Sequence, residues 1–121
     1  MTRGIRGAIC VAENSREAIF SATSQLLREI LDRNSIDPED IASMFITATP
    51  DLNADFPAYA VRGNGLTQVP VLCASEMDVP HAMKGLIRAL VHVNTGRSQA
   101  EIKHVYLGEA ARLRPDLASQ D

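Results

Sequence analysis

The sequence predicts an α+β domain built on a mixed sheet of four to five strands, with one long helix and one short helix. Three observations lead there. Five short apolar runs, at residues 4–12, 41–49, 69–75, 86–95 and 102–107, show two-residue alternation or strand-like composition. Only residues 14–34 carry a long stripe with helical spacing. Proline and glycine punctuate the boundaries at Pro50, Pro57, Gly63 and Gly65. At 121 residues the chain suffices for a single core, so one domain is expected over 1–121.

In the first strand, Ile5, Ile9 and Val11 share one face, and Arg6, Ala8 and Cys10 share the other. Asn14-Ser-Arg-Glu17 resembles a capping box. The helix behind it aligns Ile19, Ala22, Leu26, Leu27, Ile30 and Leu31 and ends near Asn34. Asp37-Pro38-Glu39-Asp40 opens a short turn or helix, with proline at the favoured first position. The second strand stops at Pro50-Asp51. Pro57 starts a two-turn helix through Arg62, broken by Gly63-Asn64-Gly65.

The third strand contains Pro70, which places its beginning at a sheet edge. Residues 86–95 fit helix or strand, and alternation decides for strand. Ile87, Ala89, Val91 and Val93 interleave with Arg88, Leu90, His92 and Asn94. In the last strand Val105 and Leu107 lie opposite His104 and Tyr106. Arg114-Pro115-Asp116 closes the ordered part, and residues 119–121 are expected to fray.

Composition narrows the function. A net charge of −3 and a pI of about 5.6 argue against a nucleic-acid footprint. The two cysteines, Cys10 and Cys73, show no paired spacing, which suits a reducing cytoplasm. The apolar run at residues 7–12 is too short for a signal peptide, and no stretch reaches the roughly 18 apolar residues of a membrane span.

One stretch stands apart. Cys73-Ala-Ser-Glu76-Met-Asp-Val79, together with Arg6 and Arg88, puts a carboxylate and two guanidinium groups on or beside apolar strands. Charge there is costly unless paired or liganded. Two arginines against one nearby glutamate leave positive charge over, which points to a small anionic ligand. Each arginine could instead be bridged to Glu76 or Asp78.

The other candidates read as ordinary. Cys73 has no histidine in a recognisable local motif and reads as a small buried strand residue. His81, His92 and His104 lack metal-ligand spacing, so no metal is expected. Gly63-Asn64-Gly65 lacks the strand context of a phosphate loop and reads as a mobile turn.

With one long helix covering the aliphatic face of the sheet, Arg6, Arg88 and Tyr106 fall on the opposite face with Cys10 and Leu90. A small chain does not leave such a half-apolar face in water, so self-association is expected.

Several segments carry a resemblance. Arg3-Gly-Ile-Arg6-Gly-Ala, Thr47-Ala-Thr-Pro-Asp-Leu-Asn-Ala, Phe56-Pro-Ala-Tyr-Ala-Val-Arg62 and Val69-Pro-Val-Leu-Cys73-Ala-Ser-Glu76-Met-Asp-Val are four of them. His104-Val-Tyr106-Leu and Leu113-Arg114-Pro-Asp-Leu117 complete the set. In this order they closely resemble the monofunctional chorismate mutases of the Bacillus type, over nearly the whole chain.

The resemblance implies a homotrimer, closed through its sheets into a pseudo-barrel-like core, with active sites at the subunit interfaces and no cofactor. It implies conversion of chorismate to prephenate, a [3,3] rearrangement in aromatic amino-acid biosynthesis on the shikimate pathway. By carry-over, Arg88 and Glu76 are catalytic. Arg6, Cys73 and Tyr106 bind substrate from the same protomer, and Phe56, Ala58, Tyr59 and Arg62 approach from its neighbour. Leu113 and Arg114 belong to a tail, residues 113–121, expected to be mobile and to cap the site in part. Tyr59 stands where the family often has lysine, and Leu72 where threonine is common; both are peripheral to the chemistry.

Two rival functions fit this architecture. One is a non-catalytic trimeric binder of small carboxylates, for which Glu76 and Arg88 would not both be needed. The other is an imine deaminase of the reactive-intermediate type, which does not account for the Cys73–Val79 pattern or the Arg-Pro-Asp-Leu tail.

Overall fold

Ser15 starts the long helix. Its backbone is extended, and its hydroxyl accepts the amide N–H of Ala18 at 3.1 Å, covering one of the unpaired donors of the first turn. This is a one-residue correction to the capping reading. Asn14 instead ties the entry loop to residues 53 and 54, its amide oxygen accepting both backbone N–H groups at 3.0 Å. The computed structural model describes residues 1–113. Its helix α1, Arg16–Arg33, buries Ile19, Ala22, Leu26, Leu27 and Ile30 as the spacing requires.

Five strands follow the expected pattern: β1 Thr2–Cys10, β2 Ile41–Ala48, β3 Val71–Ser75, β4 Leu86–Asn94 and β5 Val105–Leu107. They form one mixed sheet in the order β3-β2-β4-β1-β5. The β2–β4 and β4–β1 pairs are antiparallel, and the outer strands β3 and β5 are parallel to their neighbours. Pro70 immediately precedes the edge strand β3, where a missing N–H is tolerated.

The chain at Leu86–Asn94 is strand, and its alternation explains why. Ile87, Val91 and Val93 are fully buried beneath α1, with Ile5, Met44 and Ile46 beside them. Gly7 lies at the closest approach of helix to sheet. A Cβ there would sit 2.6 Å from Ile30 Cδ1 and 3.0 Å from Leu26 Cδ1.

Two expectations about shorter elements change. The last strand begins at Val105, not at 102. Ser98 and Glu101 form a capping box around the 3₁₀ turn Gln99–Glu101, which uses the chain just before it. Asn34, 1% exposed, then holds residue 103 by both backbone groups: its Nδ2 donates to the carbonyl at 2.9 Å, and its Oδ1 accepts the N–H at 2.8 Å. The short helix α2 is Tyr59–Gly63, and Asn64 closes it by donating to Ala60 O and Ser24 Oγ. The Gly63–Gly65 turn is therefore a pinned helix end, with Gly65 in the left-handed region at φ +83°.

Candidate active site

The second face of the sheet carries the charges. Cross-strand register sets Thr47 beside Arg88, Arg88 beside Ala8 and Ala8 beside Tyr106, one row across four strands. A second row runs Phe45, Leu90, Arg6. Period-two alternation therefore puts Arg6, Arg88 and Tyr106 on one side, as expected from sequence. The 3₁₀ helix Gly108–Arg112 folds back over part of this face and buries Ala8 and Tyr106 with Ala110.

Glu76 enters from the end of β3, its amide N–H held by Ala48 O at 2.9 Å. Its carboxylate meets Arg88 fork to fork. Arg88 Nε donates to Oε2 at 2.8 Å, and Nη2 donates to Oε1 at 2.5 Å. Thr47 Oγ1 also donates to Oε2. The bonds from Arg88 hold the Glu76 carboxyl below the usual range against the opposing effect of burial, and Thr47 adds to the lowering. The same contact raises the Arg88 guanidinium further. The Glu76 side chain is 14% exposed and that of Arg88 50%, so the pair sits at the lip of a cleft.

The pair separates two hollows. One, of about 580 Å³, is lined by Arg6, Thr47, Leu90, Tyr106 and Leu113. The other, of about 420 Å³, lies towards Asp51, Asp78 and Lys84. Among the described residues the Arg6 guanidinium has no acceptor, so the surplus positive charge resides there and not on Arg88. The backbone N–H of Arg6 donates to His104 Nδ1 at 2.9 Å. A cleft with one free guanidinium, one paired guanidinium with N–H groups to spare and a phenol is suited to a small dicarboxylate.

A family model described as chorismate mutase type I matches residues 2–117. The chain belongs to the chorismate mutase type I family. Two family members with curated names are similar over almost their whole length. The chorismate mutase AroH of Bacillus subtilis is 48% identical over 119 residues, 98% of this chain and 94% of that one. The chorismate mutase AroH of Thermus thermophilus is 48% identical over 120 residues, 98% of both chains. In structure, the chorismate mutase from Clostridium thermocellum superposes with a TM-score of 0.89 at 41% identity, covering 91% of this chain and 98% of that one.

Set against the carry-over from the chorismate mutase pattern, the structure gathers Arg6, Glu76, Arg88, Tyr106 and Leu113 in one protomer. It does not bring Cys73 to them. Cys73 pairs in register with Ile46, whose side chain faces α1, so its thiol leaves the sheet on the side away from Arg88. Cys73 is also exposed in the protomer, correcting the buried-strand reading. Burial of its sulfur still pushes the thiol up, partly offset by the backbone of Ala58.

Cys73 thus joins the second group. There Phe56 and Tyr59 stack edge to face at 5.7 Å, and the Arg62 guanidinium lies 5.7 Å from the Tyr59 ring. Phe56, Ala58, Tyr59 and Arg62 line neither hollow beside Arg88. Arg114, with the rest of the expected capping tail, lies outside the described residues.

Thr47 is the site residue that sequence reasoning passed over. It heads one of the segments that carry the resemblance, but its signal for a site role is strand parity with Phe45, opposite a charged position of β4, which means nothing until the β2–β4 register is known.

Proposed function

We infer that this chain converts chorismate to prephenate, the reaction for which its family is named, and that it does so in the cleft between Arg6, Glu76, Arg88 and Tyr106. The observation that carries this reading is the Arg88–Glu76 fork beside the Arg6 guanidinium, which has no acceptor among the described residues. The rearrangement is intramolecular and pericyclic. It breaks an ether C–O bond ahead of C–C bond formation, so negative charge grows on the ether oxygen and positive charge on the ring.

A guanidinium held at that oxygen stabilises the transition state more than the ground state. The carboxylate that orients Arg88 would also favour the ring's positive charge and accept the ring hydroxyl. Arg6, with Tyr106, takes the side-chain carboxylate and folds the flexible enolpyruvyl arm over the ring, which removes rotational freedom before reaction.

The second half of the site comes from another copy of the chain. Phe56, Tyr59 and Leu72 are 61%, 40% and 66% exposed in the protomer, and Phe45 on the charged face is 44% exposed. Covering these surfaces in a homotrimer would bring Phe56, Ala58, Tyr59, Arg62 and Cys73 to a neighbour's Arg88. A cytoplasmic setting fits the two free thiols. No described helix is long and apolar enough to cross a membrane.

The test is direct. Purified protein is mixed with chorismate, and substrate loss and prephenate formation are followed. Turnover with equal loss and gain is expected; saturable binding without turnover would leave a carboxylate binder. Sedimentation should show a trimer, and a stable, fully active monomer would remove the shared-site arrangement.

A further inference from the structure

We propose that Thr47 is a positioning residue that divides the Glu76 carboxylate into a scaffold oxygen, Oε2, and a ligand-facing oxygen, Oε1. The inference rests on the chorismate reading above and assigns the parts of its catalytic pair. Each carboxylate oxygen offers about two lone-pair sites. Oε2 uses both, one for Thr47 Oγ1 and one for Arg88 Nε. Oε1 takes only Arg88 Nη2 among the described residues and keeps one acceptor site open.

The guanidinium is divided the same way. A fork–fork contact through Nε and Nη2 fixes the plane of the group. It leaves both Nη1 hydrogens and the second Nη2 hydrogen free to donate. Without Thr47, the Glu76 side chain could rotate about its terminal bond, since that torsion is broad. Arg88 would follow it. The hydroxyl therefore acts through Glu76 on the position of a donor, Arg88, that it never touches.

Geometry favours this role over a merely structural one. Thr47 and Arg88 are direct neighbours in the β2–β4 register, and Glu76 reaches over both from the end of β3. β2 and β4 thus contribute one donor side chain each to a single acceptor carboxylate at the end of β3. Among the described residues, the charged and titratable groups around Glu76 are Arg88 from β4, Arg6 from β1, Tyr106 from β5, Asp51 after β2, and Asp78 and Lys84 in the loop before β4. Thr47 supplies the one neutral donor to the carboxylate among the described residues.

The experiment compares Thr47→Val with Thr47→Ser in the full chain. Valine keeps the β-branched shape that suits a strand and deletes only the donor. Steady-state kinetics give kcat and KM for chorismate. Carboxyl ¹³C NMR follows the titration of Glu76, assigned with Glu76→Gln.

In Thr47→Val the Glu76 midpoint should move up. Its kcat should fall roughly ten- to hundredfold, as expected for a small misplacement at the reacting centre. KM should change much less, because Arg6 and Tyr106 are untouched. Thr47→Ser should restore both the midpoint and kcat. An unmoved midpoint and normal kcat in Thr47→Val would overturn the proposal, as would a serine variant no better than valine. If the unmodified chain turns over no chorismate, the functional reading fails by itself, and the NMR midpoint alone then decides Thr47.

Discussion

Arg88 and Glu76 face each other through two parallel hydrogen bonds, at 2.8 and 2.5 Å, although Arg88 lies on β4, Glu76 follows β3, and β2 runs between those strands. The carboxylate spends its charge on orienting the guanidinium, and the guanidinium keeps N–H groups for a ligand. This relationship makes Arg88 an oriented donor and distinguishes it from Arg6, which has no acceptor among the described residues.

Replacing Arg88 should therefore act on kcat. A neutral isostere such as citrulline keeps the shape, the Nε donor and one terminal NH2, exchanges the other for an acceptor oxygen, and removes the charge. A loss of roughly a hundred- to thousandfold in kcat is expected, with binding retained. Arg88→Lys should recover part of the loss relative to Arg88→Ala, because lysine keeps charge but lacks the fork. Single-turnover kinetics with chorismate would check this, and a near-normal kcat in the neutral variant would remove Arg88 from the chemistry.

The pH dependence follows from Glu76. Hydrogen bonding from Arg88 depresses its folded-state pKa, so the pair's contribution to stability is full above the unfolded carboxylate value, about 4.3. It is lost as pH falls through the lower folded value. Turnover should be flat across neutrality and decline only in that acid range. Thermal unfolding of the unmodified chain and Glu76→Gln should differ by a constant amount above about pH 5 and converge below it. A bell-shaped rate profile centred near neutrality would demand a proton-transfer step instead.

His104 accepts the backbone N–H of Arg6 where β5 has not yet begun, standing in for a ladder carbonyl. His104→Leu removes that acceptor and should raise KM for chorismate several-fold while sparing kcat, since Arg6 binds and Arg88 reacts. His104→Asn places an amide oxygen close to the position of Nδ1 and should restore KM. Equal KM in all three proteins would show that the Arg6 backbone needs no such support.

Asn34 links the end of α1 to the segment leading into β5. Its Nδ2 donates to Ile30 O and Lys103 O, its Oδ1 accepts Lys103 N–H, and its carbonyl accepts from Arg97 Nη1 at 2.6 Å. Asn34→Ala empties a buried position and leaves the part-buried backbone groups of residue 103 without these partners, which should cost about 1–3 kcal/mol. Denaturant unfolding would measure it. A loss below about 0.5 kcal/mol, typical of a neutral surface change, would contradict the bonding described.

The sequence by itself determined whatever depends on local period. Two-residue alternation placed Arg6, Arg88 and Tyr106 on one face and resolved residues 86–95 as strand. Helical spacing marked α1, and Pro70 marked the start of an edge strand. These features are local because a side chain's direction along a strand or helix is fixed by its own backbone.

Pairing is not local. Only the assembled sheet, in the order β3-β2-β4-β1-β5, put the end of β3 over β2 and beside β4, so that Glu76 closed on Arg88 with Thr47 beneath. The same register sent Cys73 to the opposite side, where motif order alone had grouped it with Glu76, three residues away. Which strands become neighbours depends on how the whole apolar surface is buried under α1, and no window of sequence contains that sum.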